Sequence, residues 1–416
     1  ADTINASDGK TTLREAIANA KAGETITFAS SLAGKTITLS GKAITINKAL
    51  TIDASSLGSS SITINANKKS NIFLVTAGTE NSPVTINNLT LNNGKTTWYG
   101  GVLTNSGYLV VNNSRFLNSY AYYGGAISNS GEIEINDCTF SKNNANMGGV
   151  IFNRTGAVAY IYDSTGSSNT AKNNGAFLYN NGDYVFAGTC EITANKASNR
   201  AGAFFNAKGT MYISDSTLTG NTAPNYGGAI HNCSVLTVSN SLISGSSAIY
   251  GGAVANTGTL TVMNSDISSN TATRYGGAIY TTSNNNVVIS GGSMNSNTAI
   301  RGGAVYVYKG QVTIQNVSFK LNNATQNGGA IYNMGTAYVY DNVFTQNNAR
   351  YYGGAIASEK TLHVADNSFY NNTAGVAYPD IYIKSGSRII YDSINQSNMA
   401  SLFDAIFEDE ENEDWI

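Results

Sequence analysis

A unit of about 25 residues recurs along most of this chain, a period that belongs to solenoids and arrays. Each copy reads hydrophobe-x-x-Asn, a short gap, Gly-Gly-Ala and an aliphatic residue. Clear copies are Phe140-x-x-Asn143, Leu218-x-x-Asn221 before Gly227-Gly228-Ala229-Ile230, Ile267-x-x-Asn270 before Gly276-Gly277-Ala278-Ile279, and Phe344-x-x-Asn347 before Gly353-Gly354-Ala355-Ile356. The second glycine falls at Gly101, Gly125, Gly149, Gly175, Gly202, Gly228, Gly252, Gly277, Gly303, Gly329 and Gly354.

Each copy reads as three short strands and no helix. Between Gly252 and Gly277 the extended stretches are 253–256, 259–263 and 265–268, and Thr259-Leu260-Thr261-Val262-Met263 alternates apolar and polar residues as a strand does. The remainder is Gly, Asn, Ser and Thr, the residues of turns. A propeller blade would need about 40 residues. The expected fold is therefore all-β: a single right-handed parallel β-helix with coils of about 25 residues, each stacked on the last at roughly 4.8 Å. About fourteen coils fit between Lys35 and Asp392, in a rod on the order of 65 Å long.

That fold gives the repeated residues jobs. The aliphatics at Ile127, Ile230, Val254, Ile279, Val305, Ile331 and Ile356 stack inside the coil, as do Phe116, Phe140, Leu218, Ile267, Met294, Phe319, Phe344 and Phe369. Alanines such as Ala126 and Ala278 fit a tight corner, and the glycine pairs supply positive φ. Asn143, Asn195, Asn221, Asn270, Asn297, Asn322, Asn347 and Asn372 form one amide ladder. Asn105, Asn129, Asn153, Asn206, Asn232, Asn256 and Asn333 form a second. A buried Asn needs partners, and its equivalent one coil away offers both donor and acceptor.

The formal charge is −2 with 12% charged residues, so nothing points to a nucleic-acid partner and none is expected, and no apolar run reaches the 18 residues of a transmembrane helix. Cys138 and Cys190 lie two coils apart, about 10 Å, beyond disulfide reach. They read as small buried hydrophobes, and no spacing calls for zinc or a cofactor. Residues 1–34 form an N-terminal cap, in which Thr12 to Glu15 make a capping box for a short helix with Leu13, Ala16, Ile17 and Ala20 on one face. Residues 35–392 are the β-helix. Residues 393–416 are an acidic tail or linker. The chain starts at Ala1 without an apolar leader. Secretion or anchoring is then expected to use segments outside this chain.

The hydrophobe-x-x-Asn and Gly-Gly-Ala-Ile repeat resembles that of the chlamydial polymorphic outer membrane proteins, and is similar to adhesin-like surface proteins of methanogenic archaea and gut bacteria. Thr12-Leu13-Arg14-Glu15-Ala16-Ile17 resembles the opening of many such β-helices. The resemblance covers about 11–392. Two copies depart from it: Asn174-Gly175 and Ala201-Gly202 lack the first glycine. The resemblance implies an extracellular, cell-surface protein, part of a larger one, adhering to a host-cell or microbial surface protein or to a glycan.

β-Helices also include polysaccharide lyases and glycoside hydrolases, which need clustered carboxylates. Asp137, Asp163, Asp215, Asp341 and Asp366 occupy similar places after the middle strand, one per coil or fewer, where turn geometry accounts for them. His231 and His363 read as structural. No catalytic set emerges, so the reading is a non-enzymatic adhesin, with a polysaccharide enzyme and a structural stalk as alternatives. Tyrosine is the candidate binding signal. Tyr99, Tyr123, Tyr226, Tyr250, Tyr275 and Tyr352 precede glycine pairs, and Tyr280, Tyr306 and Tyr332 follow them. The irregular stretch 156–206 adds Tyr179 and Tyr184, with Arg154 and Arg200 beside it.

Overall fold

A computed structural model describes residues 11–58 and 60–392; the expected acidic tail lies outside the described residues. The chain divides into two compact units, Ala1–Pro224 with Gly228–Leu236, and Asn225–Gly227 with Thr237–Ile416. Each is a stack of parallel β-coils, and the two hold about 15 coils of roughly 25 residues.

One coil of the second unit shows the plan. Val254–Asn256, Thr259–Ser268 and Thr271–Tyr275 are its strands. They pair in parallel with the next coil through Val254↔Ile279, Leu260↔Val287 and Thr271↔Thr298. In the first unit Ile127 pairs with Ile151 and Phe116 with Phe140 in the same way. This register sets like on like, so Phe116 and Phe140 stack at 4.8 Å between ring centres, and Phe319 and Phe344 at 4.9 Å. The third strand, between the ladder Asn and the glycine pair, escaped the sequence reading. It is short and its alternation is weak.

The stretches expected as the second and third strands belong to one sheet, bent at a single left-handed residue. Asp137, Asp163, Asp215, Asp341 and Asp366 occupy that bend with φ of 52°, 50°, 51°, 55° and 53°. Asn and Asp tolerate this conformation better than other side chains. The vertical row of carboxylates is thereby explained by backbone geometry.

The first amide ladder is continuous within each unit. In the first, the Nδ2 groups of Asn143, Asn169 and Asn195 donate to Oδ1 of Asn169, Asn195 and Asn221 at 3.1, 3.0 and 3.1 Å. Each Nδ2 also donates to a carbonyl one coil back, Phe116, Phe140 and Gly166. Each Oδ1 further accepts a backbone N–H, as Asn169 Oδ1 does from Asn143. In the second unit Asn270, Asn297, Asn322, Asn347 and Asn372 repeat the arrangement. The second ladder runs Asn105, Asn129, Asn153, Asn180, Asn206 and Asn232 in the first unit.

Asn169 and Asn180 are absent from the sequence-derived ladders because the repeat is disguised there. Asn169 follows Gly166, not a hydrophobe. Gly175 has φ of 63°, and its carbonyl accepts the N–H of Gly149, as the carbonyl of Gly148 accepts that of Gly125. Gly175 is therefore the first glycine of its pair, and Ala176 stands where the second would be. This corrects the motif by one place. At the next coil the first glycine is indeed replaced, by Ala201 at φ 58°. Phe177 then falls at the corner that alanine fills in most coils and Val150 fills in the coil before, and its ring occupies the space beside Gly166. A Cβ at Gly166 would lie 2.4 Å from that ring. The second glycines have a different reason: a Cβ at Gly277 would lie 2.1 Å from the carbonyl oxygen of Gly303.

The helix Leu13–Asn19 has its capping box, Thr12 Oγ1 accepting from the Glu15 amide and Glu15 Oε2 from the Thr12 amide. Leu13 and Ile17 are buried, while Ala16 and Ala20 are half-exposed. Arg14 donates to the carbonyls of Lys42 and Ala43, and Lys48 to those of Ala18 and Ala20 at the helix end. Sheet pairing begins at Thr25–Thr27, which pairs with Thr51–Asp53, inside the stretch read as the cap.

Cys138 and Cys190 are buried and unbridged, replacing serines such as Ser114 and Ser164 of neighbouring coils; burial pushes their thiols up to about 12 and about 11. His231 is also buried, its ring set edge-on to Phe205 at 5.1 Å. Burial, then the charge of Arg200, lowers its pKa to about 3.

Two outcomes are expected. Phe177→Ala costs about 3–5 kcal/mol in urea unfolding, and Gly166→Leu about 1–3 kcal/mol by overpacking. The double variant regains stability relative to the sum, whereas strict additivity would contradict the shared slot. Because the folded His231 pKa lies below its ordinary 6.5, the unfolded chain takes up the proton first. The stability from neutral burial is full above 6.5 and falls as pH drops from 6.5 to about 3. The urea midpoint of the wild type should therefore fall more between about pH 7 and about pH 4 than that of His231→Phe; equal losses would contradict a buried neutral ring.

Candidate ligand-binding cleft

Interior aliphatics occupy one face of the first strand of each coil, so the residue between them and the ladder Asn points to the opposite face. That position carries Phe152, Tyr179, Phe205 and His231 in the first unit, and Tyr280, Tyr306 and Tyr332 in the second. The residues before the glycine pairs come alongside, giving an outer aromatic layer. Arg200 and Arg301 take the tyrosine's place in that row, bridging to Asn174 and Tyr275.

In the second unit the layer is closed. Tyr226 stacks on Tyr250 at 5.0 Å, Tyr275 on Tyr306 at 4.5 Å and Tyr306 on Tyr332 at 5.2 Å. Tyr280, Tyr306 and Tyr332 are 9%, 2% and 0% exposed, which leaves them almost no surface to offer a ligand. Two of the hydroxyls are engaged: Tyr306 donates to Met334 Sδ at 2.9 Å and Tyr332 to Glu359 Oε1. Burial raises the pKa of all three. Arg301 lies 5.3 Å over the Tyr332 ring and donates to Gln326 at 2.8 Å. Tyr352 stacks on Tyr382 at 4.8 Å.

In the first unit the layer opens into a cleft of about 570 Å³ lined by Tyr99, Tyr123, Ser130, Met147, Phe152, Arg154, Thr155, Tyr179 and Asn181. The cause is local. Ser128 replaces a ring in the outer row, and Met147 replaces a tyrosine before Gly148-Gly149. The link after Asn153 is also longer. Ser130 and Gly131 alone join Asn129 to Glu132, but 154–157 join Asn153 to Val158, turning at Gly156 with φ 79°. That longer link projects Arg154, whose Cζ lies 4.5 Å over the Tyr99 ring. No carboxylate pairs with Arg154 among the described residues. Tyr99 stacks on Tyr123 at 5.3 Å and Phe152 on Tyr179 at 5.2 Å, and Asn181 Nδ2 donates to Thr155 Oγ1 at 2.9 Å. Burial, then neighbouring tyrosines, raises the Tyr123 pKa; for Tyr179 burial comes first, then Cys233 and Tyr123, with Arg200 opposing.

The structure thus brings Tyr99, Tyr123, Tyr179 and Arg154 together. It places Tyr226, Tyr250, Tyr275, Tyr280, Tyr306, Tyr332 and Tyr352 in the other unit. Tyr184 belongs to a different surface of the first unit, the outer face of the broad sheet, with Tyr160 at 5.6 Å and Tyr212 at 5.7 Å. On that face Glu132 has its pKa raised by burial, then by Glu80 and Glu134. The cleft lining contains no carboxylate. Phe152, Met147, Ser130, Thr155 and Asn181 were missed by reading tyrosines alone. Following any ring at the outer position would have found Phe152.

Three stretches, 215–233, 264–282 and 316–334, match the Chlamydia polymorphic membrane protein (Chlamydia_PMP) repeat. No curated protein and no solved structure matches the chain. No helix among the described residues is long and apolar enough to cross a membrane. The repeat points to an outer-membrane or surface location. Matched in sequence in both compact units and set on stacked parallel coils, the chain carries polymorphic membrane protein repeats on a parallel β-solenoid.

Proposed function

We propose that this is an adhesin-like, cell-surface protein that captures a ligand of a host-cell or microbial surface in the cleft of its first unit. The carrying observation is the break in the outer aromatic layer: the same ring positions that seal the second unit open in the first around an unpaired cation. Its volume is within the range of about 300–1,000 Å³ usual for small-ligand sites. A carboxylate-free lining favours binding over glycoside hydrolysis, which depends on paired carboxyl groups.

Tyr99→Ala and Asn181→Ala alter the cleft without touching the coil interior. Each should weaken binding of the purified chain to cells or to a glycan array by about tenfold or more, on the order of 1.4 kcal/mol or more, with circular dichroism unchanged. Wild-type binding by both variants would contradict the reading. So would release of new sugar ends from a polysaccharide by the wild type.

A further inference from the structure

We propose that the cleft takes a carboxylated pyranose, a uronic or sialic acid unit of a glycan, and that Arg154 holds its carboxylate. This rests on the cleft being the binding site. Arg154 is exposed on the turn 154–157, and the Tyr99 ring is the one side-chain partner it has among the described residues. A guanidinium stays charged at any physiological pH and presents a planar fork of donors that matches a carboxylate with two parallel hydrogen bonds. Packing against the ring holds the cation in place while leaving the fork free for a ligand.

The rest of the lining suits a sugar. Ser130, Thr155 and Asn181 present hydroxyl and amide groups for ring hydroxyls. Thr155 Oγ1 accepts from Asn181, which leaves the threonine proton and the Asn181 carbonyl available outward. Met147, Phe152 and the tyrosine rings supply apolar surface for the C–H face of a pyranose. An acidic peptide added as an extra strand would need free main-chain groups. Those of the surrounding coils are spent: the amides of Tyr123, Gly124, Gly148, Arg154 and Asn181 donate to Trp98, Met147, Asn174, Asn129 and Asn153.

The test is isothermal titration of the full chain with 3′-sialyllactose and with trigalacturonic acid, using lactose and carboxyl-reduced trigalacturonic acid as neutral counterparts and hexaglutamate as the acidic peptide. The expected result is binding of at least one carboxylated sugar, at least tenfold tighter than its neutral counterpart; which of the two binds identifies the sugar type. Arg154→Gln should lose that tenfold on the acid and match the wild type on the neutral sugar, and Arg154→Lys should recover part of it. The inference is overturned if neither acid binds, if Arg154→Gln binds the acid as the wild type does, or if hexaglutamate binds as tightly as the sugars. If Tyr99→Ala abolishes cell or glycan binding while Arg154→Gln does not, the cleft stands and the carboxylate assignment falls. If Tyr99→Ala also leaves binding intact, the cleft reading itself fails.

Discussion

Within each unit, the bond from one buried asparagine to its equivalent a coil away is what the other features accommodate. An amide buried to 0% exposure is tolerable only when its donors and acceptor are met. Here the partner is the same residue of the adjacent coil, with a third bond to the backbone one coil back. This closes only if coils stay in strict parallel register. Register in turn stacks phenylalanine on phenylalanine and brings backbones close enough that only glycine fits, as at Gly277. Local irregularities are therefore compensated in place. Where Gly166 leaves the hydrophobe slot empty, Phe177 fills it from the neighbouring corner, and the ladder continues through Asn169 undisturbed.

This dependence explains what could be read from sequence. Positions that favour one residue type were legible where that type was kept: most ladder asparagines, the first glycines with positive φ, most corner alanines and the Thr12–Glu15 capping box. The left-handed bend at Asp137 and its equivalents was legible as turn chemistry. Positions defined only by space were not. Nothing in the sequence ties Phe177 to Gly166, because the slot they share joins residues of different coils. Nor does a tyrosine announce whether its ring will be sealed, as Tyr332 is, or left at the edge of a cleft, as Tyr99 is; that depends on whether the neighbouring coil supplies a ring or Ser128. The short strand before each glycine pair went unread because its alternation is too brief.

The cleft follows from the same logic in reverse. A repeat that commits its residues to packing leaves few positions to vary, and variation there is cheap because the ladders carry the fold. Three local changes, Ser128, Met147 and the longer link at 154–157, open the aromatic layer without disturbing an interior contact. The second unit keeps the layer closed with Tyr275, Tyr306 and Tyr332 and uses its cation, Arg301, to bond Gln326. On these aromatic layers the Arg301 guanidinium is hydrogen-bonded to Gln326, whereas that of Arg154 lies over the Tyr99 ring with no side-chain hydrogen bond among the described residues.

The central claim, that asparagine pairing between coils holds the turns as firmly as the strands, is tested most directly by native-state hydrogen exchange resolved along the chain. The account predicts that the amides of Asn143, Asn169, Asn195, Asn297 and Asn322, though at turns, exchange as slowly as the flanking strand amides of their own unit. Exchange at these asparagines as fast as at the exposed turn residues Thr155 and Gly156 would contradict it.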